Sequence, residues 1–209
     1  MEITYLVDPL SAHDIELNSA NFLREYQPEV LKGYKPLDVA KLLDDIFEDK
    51  GFSLQLVSEK ELPTSILGMT EMDNKIIKIR ETDYMVCETA GYQRMTITHE
   101  VGHPRLHFSQ FDRNGMRMLR TQSNKIPAFI SSEWQARVWA SATLMPFPTM
   151  IHLLGETQGK TKDDILNAIM EKFIVSRSAA DVRYKTIFKY HKDGRFKIIE
   201  KSMKELKYL

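Results

Sequence analysis

The spacing of hydrophobic residues predicts two amphipathic helices within the first fifty residues. The first runs from Asp14 to Tyr26, where apolar residues recur at helical intervals until Pro28 interrupts them. The second carries an apolar stripe from Val39 to Phe47. Pro36 stands where a first helical turn tolerates proline, and Gly51 ends the pattern.

A small sheet is predicted after these helices. Phe52 to Val57 alternates between apolar and polar residues, as a strand does, and two further short strands are predicted at 66–69 and 76–79. An Asp73-Asn74 turn joins the last two strands. Three short strands therefore precede the part of the chain that carries the most specific motif.

That motif is His99-Glu100-Val101-Gly102-His103, which has the pattern His-Glu-x-x-His. Residues four apart lie on one face of a helix, so both imidazoles can bind a single metal ion with Glu100 beside the site. We expect the helix to begin near Tyr92. Pro104 should kink or end it soon after His103, which leaves the position of His107 open.

A catalytic zinc site needs a third protein ligand and an open fourth position. Zinc peptidases that extend the motif to a third histidine are excluded, because Leu106 and Ser109 stand where that pattern has glycine and histidine. A carboxylate from a later helix is the other common solution, and Glu133 is the best candidate. It lies in a predicted helix that begins at serine caps and stops at Pro146. Taken alone, Glu133 would be an acidic residue that the helix dipole favours in a first turn.

Two separate motifs together resemble the ImmA/IrrE family of zinc metallopeptidases. The first is Thr96-Ile97-Thr98-His99-Glu100-Val101-Gly102-His103 with His107, and the second is Glu133-x-x-Ala136-x-x-Trp139-Ala140-x-x-x-Leu144-Met145-Pro146. The resemblance covers about residues 37–190. The chain departs from the family pattern at Thr98, Pro104 and Arg137, where alanine, an apolar helix former and asparagine are usual.

The resemblance implies a zinc-dependent endopeptidase with one Zn²⁺ per chain. The zinc ligands would be His99, His103 and Glu133, and Glu100 would be the general base. The substrate that the resemblance implies is a helix-turn-helix transcriptional repressor that controls a mobile element or a stress response. A gene for such a repressor next to the gene for this chain would be the simplest indication of the substrate.

The fold that we expect is α+β, with a small β-sheet packed on the zinc-binding helix and several further helices. Residues 1–36 are expected to form a helical extension, 37–191 the metallopeptidase domain, and 192–209 a basic C-terminal tail. Within that tail, Arg195 to Lys201 is predicted to be a short strand.

Several residues are candidates for supporting roles. Tyr184, Arg183 and Arg177 have the chemistry to stabilise an anionic transition state. His107 could orient a zinc ligand, although a structural histidine at the helix end is an equal alternative. The strand from Lys75 to Ile79 is hypothesised to be a sheet edge on which an extended substrate adds as a further strand.

Composition limits the partners and the compartment. The 29 basic and 29 acidic residues balance, so no chain-wide attraction to nucleic acid or to an anionic membrane is expected. No segment approaches the length of a membrane span. Cys87 is the single cysteine, and the start of the chain lacks the pattern of a signal peptide. These features favour a reducing cytoplasm.

Two alternatives belong to other functional classes. Thr161 to His191 is predicted to be a helix, a short break and a second helix, as in DNA-binding helix-turn-helix units, and the segment from Arg183 to Leu209 carries nine basic and three acidic residues. Met170 and Ile174 stand where such units favour alanine and glycine, which weighs against nucleic acid as a partner. The other alternative is a relative that binds a partner without cleaving it and senses metal.

Overall fold

The computed structural model describes residues 3–62, 66–114, 120–122 and 126–208, and its fold is mixed α+β. Its helices are α1 (Ala12–Tyr26), α2 (Val39–Lys50), α3 (Glu81–Met85), α4 (Gly91–Asn114), α5 (Ser132–Leu144), α6 (Phe147–Glu156), α7 (Lys162–Phe173), α8 (Arg177–Lys192) and α9 (Arg195–Glu205). Its strands are β1 (Ile3–Tyr5), β2 (Ser53–Val57), β3 (Gly68–Glu71), β4 (Ile76–Arg80) and β5 (Arg120–Gln122). Short 3-10 turns lie at Pro28–Leu31 and Ala128–Ile130.

The sheet beside the motif helix has the strand order β2-β4-β3. β4 pairs in parallel with β2 and antiparallel with β3, so it is the central strand. The prediction that Lys75 to Ile79 forms a sheet edge is therefore wrong. Sheet order depends on pairing between distant segments, which alternation within one strand does not reveal. Among the described residues, β3 pairs only with β4, which makes β3 an edge of this sheet.

The two N-terminal helices are confirmed, with one correction to their boundaries. Asp38 caps α2, because its side chain accepts a hydrogen bond from the Lys41 N–H at 2.8 Å. Pro36 therefore precedes the helix and does not lie in its first turn. Gly51 ends α2 in a left-handed conformation with φ of 75°, which glycine adopts without strain.

Helix α1 belongs to the same hydrophobic core as α4 and α5. The Phe22 ring meets the edge of Trp139 on α5, with ring centroids 5.5 Å apart, and both side chains are fully buried. Asn18 joins the three helices, since its Oδ1 accepts hydrogen bonds from Arg105 Nε at 3.1 Å and from Trp139 Nε1 at 3.0 Å. Residues from α1 therefore hold α4 and α5 together.

The predicted helix, break and helix near the C-terminus are confirmed as α7 and α8. Thr161 caps α7, Ser176 caps α8, and Ile174 between them adopts a left-handed conformation with φ of 50°. Gly91, at the start of α4, packs against this break. A Cβ at Gly91 would lie 2.4 Å from the Ser176 nitrogen, so only glycine fits there.

The predicted strand from Arg195 to Lys201 is wrong, because these residues begin α9. Gly194 turns the chain after α8 with φ of 79°. Ile199 and Met203 are then fully buried four residues apart, which is the spacing of one helical face. Within the described residues, no helix combines the length and apolarity needed to cross a bilayer.

Candidate metal centre

Three side chains from two helices converge on one point. His99 and His103 project from the same face of α4, with their Nε2 atoms 3.2 Å apart and their rings nearly perpendicular. Glu133, from the first turn of α5, approaches both rings. Its Oε2 lies 3.2 Å from His99 Nε2, and its Oε1 lies 3.5 Å from His103 Nε2. The predicted group His99, His103 and Glu133 is thus brought together in a form that can hold a metal ion.

Local capping and close helix packing position Glu133. The Ser131 hydroxyl accepts a hydrogen bond from the Trp134 N–H at 3.3 Å and so fixes the first turn of α5, which carries Glu133. Gly102 lies between the two histidines and faces α5. A Cβ at Gly102 would lie 3.2 Å from the Ala136 carbonyl oxygen and from the Trp139 ring. Glycine on α4 and alanine on α5 therefore let the helices approach closely enough for their ligands to meet.

The spacing of the donor atoms fits a tetrahedral cation. With ligand atoms about 2.0–2.2 Å from zinc, tetrahedral geometry separates neighbouring ligand atoms by about 3.4 Å. The two Nε2 atoms are 3.2 Å apart and Glu133 Oε2 is 3.2 Å from His99 Nε2, both close to that separation, and one ligand atom from each of the three residues lies within 4.8 Å of the other two. Hydrogen bonds alone satisfy these three side chains less well than a metal ion would. His99 Nε2 faces both Glu133 and His103, whereas an imidazole nitrogen can form a hydrogen bond with only one partner in the plane of its ring. A shared cation satisfies all three groups at once.

The electrostatics of the group also favour a bound cation. Burial, together with the neighbouring His99, lowers the pKa of His103 to about 3. For Glu133, burial would raise the pKa, but the hydrogen bond from His99 and the positive charges of His99 and Arg137 hold it below its ordinary value. A neutral histidine and an ionised glutamate are the forms in which these side chains can bind a metal ion.

Arg137 is a cation close enough to this group to affect its electrostatics. It follows Glu133 by one helical turn on α5 and is exposed. Its charge lowers the pKa of both His99 and Glu133. The sequence signal was its departure from the asparagine of the family pattern.

Glu100 lies beside the ligands and is nearly buried, at 9% exposure. Burial raises its pKa above the ordinary value. Its carboxylate Oε2 is 2.8 Å from the hydroxyl of Thr70 on β3. Sequence reasoning missed Thr70, because a threonine in a short strand is an ordinary β-forming residue and carries no signal of a site.

Of the two outcomes predicted at Pro104, a kink or an end soon after His103, the end does not occur. α4 continues through Pro104 to Asn114. His107 therefore stays on the ligand side, with its ring 5.5 Å from that of His103. Its Nε2 lies 3.1 Å from Gln135 Oε1, and burial lowers its pKa to about 4. His107 is thus a buried, neutral residue one helical turn after His103, and its contact with Gln135 connects α4 to α5.

The three candidates for transition-state stabilisation have partners elsewhere. Arg183 is buried in α8, where it binds both carboxylate oxygens of Glu16 and donates to the Met145 carbonyl at 2.9 Å. Arg177 pairs with Asp163 at 2.7 Å at the protein surface. Tyr184 packs against the neighbouring core of the C-terminal helices. The structure does not bring these residues into the metal group.

Comparisons with known proteins bear on the fold. No protein-family model matches this chain, and no curated protein matches it. A solved structure described as a Mycobacterium tuberculosis transcriptional regulator is similar, with a TM-score of 0.54 and 14% sequence identity. The alignment covers 82% of this chain and 46% of that one, so this chain spans less than half of the neighbour's length. At this identity the similarity concerns the fold of the shared region.

Proposed function

We propose that this chain is a zinc-dependent endopeptidase that cleaves a protein substrate, with a helix-turn-helix transcriptional repressor encoded nearby as the first candidate. The observation that carries the proposal is the convergence of His99, His103 and Glu133 into a group that can hold a metal ion, with one ligand atom of each within 4.8 Å of the others and Glu100 adjacent in the motif. The resemblance of both motifs to the ImmA/IrrE family supports the same activity.

Glu100 is the general base of the proposed reaction. A bound zinc ion would supply a Lewis acid that polarises the peptide carbonyl and lowers the pKa of water. Glu100 accepts a proton from the attacking water and delivers it to the leaving amine. Burial raises the pKa of Glu100, which makes its carboxylate a stronger proton acceptor than an exposed glutamate.

The substrate would bind in extended form along β3. This strand is an edge of the sheet, and Thr70 within it contacts Glu100, so main-chain hydrogen bonds to β3 would hold a peptide beside the base. A proline at the paired substrate position should block cleavage, because proline cannot donate to the edge strand. Cleavage that tolerates proline at every position would contradict this mode of binding.

A role in controlling transcription is part of the proposal. The structural neighbour is described as a transcriptional regulator, and a protease that removes a repressor acts on the same process.

We also assign the activity to a reducing compartment such as the cytoplasm. Cys87 is the single cysteine of the sequence and is a free thiol, so the chain depends on no intrachain disulfide, as is usual for proteins of a reducing compartment.

Cleavage of a repressor by the zinc-loaded protein tests this proposal. The substrate is a helix-turn-helix repressor from a neighbouring gene, incubated with wild type and with Glu100→Gln, followed by mass spectrometry of the products. We expect one or a few defined cuts with wild type and none with Glu100→Gln. Equal cleavage by both proteins would reveal a contaminating protease, and a metal-loaded wild type that leaves such repressors and unfolded casein intact would contradict the proposal.

A further inference from the structure

Pro104 leaves one carbonyl of α4 without its usual partner. In an α-helix each N–H donates to the carbonyl four residues earlier, which for position 104 is the carbonyl of Glu100. Proline has no N–H to donate. A buried carbonyl without a donor is costly, so the Glu100 carbonyl needs a donor from outside the helix.

Thr70 supplies that donor and also reaches the Glu100 side chain. Its Oγ1 lies 2.9 Å from the Glu100 carbonyl oxygen and 2.8 Å from Glu100 Oε2. The hydroxyl has a single proton, which it donates to one of these oxygens at a time while its lone pairs can accept. One side chain on β3 thus contacts both the backbone and the carboxylate of Glu100.

Gly68 completes the seat for Glu100 on the same face of β3. Residues two apart on a strand point to the same side, so Gly68 and Thr70 both face α4. A Cβ at Gly68 would lie 3.0 Å from Glu100 Cγ, and it would lie 2.8 Å from the end of the Ile79 side chain. The space left by Gly68 is occupied by the Glu100 side chain, which Thr70 then holds by one oxygen.

We propose that Thr70 positions Glu100 for proton transfer and that Pro104 makes this contact possible by freeing the Glu100 carbonyl. The inference rests on the proposed function, since it assigns Thr70 to the general base of that reaction. By holding Oε2, Thr70 leaves Oε1 as the oxygen that exchanges protons with water and with the leaving amine. Among the described residues, Oε1 accepts no hydrogen bond.

The arrangement serves both protonation states of Glu100. When the carboxylate is ionised, the Thr70 hydroxyl donates to Oε2. After Glu100 has taken a proton from water at Oε1, Oε2 is a carbonyl oxygen, which still accepts the hydrogen bond from the Thr70 hydroxyl. The carboxyl group therefore keeps its position while the proton arrives at Oε1 and leaves from it. Threonine suits this role, because its branched Cβ restricts rotation of the hydroxyl-bearing carbon.

Kinetic comparison of Thr70→Val with Thr70→Ser tests the positioning role. Valine keeps the shape of threonine without the hydroxyl, whereas serine keeps the hydroxyl. Misplacing a reacting group costs on the order of a hundredfold, so we expect Thr70→Val to lower kcat by about that factor with KM within about twofold. Thr70→Ser should recover most of the loss, and zinc content should be unchanged in both variants. A Thr70→Val variant with wild-type kcat would overturn the positioning role.

A stability cycle with Pro104→Ala tests the link to the proline without an activity assay. Alanine restores the N–H, which can then donate to the Glu100 carbonyl. We expect Thr70→Val to lower the urea midpoint of unfolding when Pro104 is present and to lower it less when it is combined with Pro104→Ala. Equal losses in both backgrounds would overturn the role of Pro104.

The double variant Thr70→Val/Pro104→Ala separates positioning from stability. Its midpoint should recover relative to Thr70→Val, whereas its kcat should stay low, because valine still cannot hold Oε2. Recovery of kcat together with the midpoint would overturn the positioning role and leave a structural one. If zinc-loaded wild type cleaves nothing, the proposed function fails, and the midpoints still decide whether Thr70 replaces the missing N–H of Pro104.

Discussion

Gly102 on α4 packs directly against the backbone of Ala136 on α5, between the helices that carry the three candidate ligands. A Cβ at position 102 would lie 3.2 Å from the Ala136 carbonyl oxygen. Backbone atoms of a packed helix cannot move aside as the end of a flexible side chain can. The distance between α4 and α5 is therefore set at a residue that lies within the metal motif itself.

Gly102→Ala should consequently weaken both the fold and the metal site. Overpacking typically costs about 1–3 kcal/mol, and separating the helices moves Glu133 away from the histidines. Urea unfolding and zinc titration measure the two effects. Gly155→Ala is the matched control, because Gly155 lies in α6 with open space around its Cα. The control should gain about 0.5–1 kcal/mol from helix propensity, and equal behaviour of the two variants would contradict the packing argument.

Zinc affinity should fall as the pH is lowered through the neutral range. Burial alone would lower the pKa of His99, but the hydrogen bond to Glu133 and the charge of Glu100 raise it above its ordinary value. Below that raised pKa the ring is protonated, and zinc has to displace the proton. His103, with a pKa of about 3, is already neutral and releases none.

Calorimetry in two buffers of different ionisation enthalpy checks this expectation. The zinc Kd should weaken from pH 8 to pH 6, with up to about one proton released per zinc as His99 becomes protonated. A Kd that stays constant over this range, with no proton release, would contradict the assignment of His99 as a ligand with a raised pKa.

The buried pair of Glu16 and Arg183 should be a determinant of stability. Both side chains are 1% exposed, and Tyr190 donates a further hydrogen bond to Glu16 Oε1 at 3.3 Å. Removing one partner of a buried pair costs about 3–5 kcal/mol, because the other charge is left unpaired. We expect losses of this size for Glu16→Ala and Arg183→Met measured singly by urea unfolding.

The double variant Glu16→Ala/Arg183→Met should lose less than the sum of the two single losses. Additive losses would show that the two charges do not depend on each other. Folded Arg183→Met should retain its zinc, since the Arg183 guanidinium is bound to Glu16 and Met145 and not to the metal group. Loss of zinc from the folded Arg183→Met variant would contradict the conclusion that Arg183 lies outside the metal group.

Features encoded within one short segment could be predicted from the sequence. The helical spacing of apolar residues gave α1 and α2, and the two motifs gave His99, His103 and Glu133 as one ligand group. His99 and His103 lie one turn apart on the same helix, where periodicity places them on one face. Glu133 lies on a second helix, and only the resemblance of the two motifs to a known family assigned it to the same group.

Features that depend on distant pairing could not be predicted. The central position of β4 follows from its pairing with both β2 and β3, which no single strand encodes. The segment from Arg195 to Lys201 is too short to distinguish the alternating pattern of a strand from the spacing of a helix. The helical spacing becomes visible only when Met203, four residues after Ile199, is included. Pro104 did contain a usable signal, since its missing N–H leaves the Glu100 carbonyl in need of a donor.

Zinc stoichiometry is the most direct test of the account, because every proposed step depends on the ligand group. Elemental analysis should compare wild type, Glu133→Ala and Glu100→Gln, each purified without chelator and reconstituted under the same conditions. We expect one zinc per chain in wild type and in Glu100→Gln, and loss of zinc in folded Glu133→Ala. Wild type that holds no zinc after reconstitution, or Glu133→Ala that keeps a full equivalent bound as tightly, would contradict the site formed by His99, His103 and Glu133.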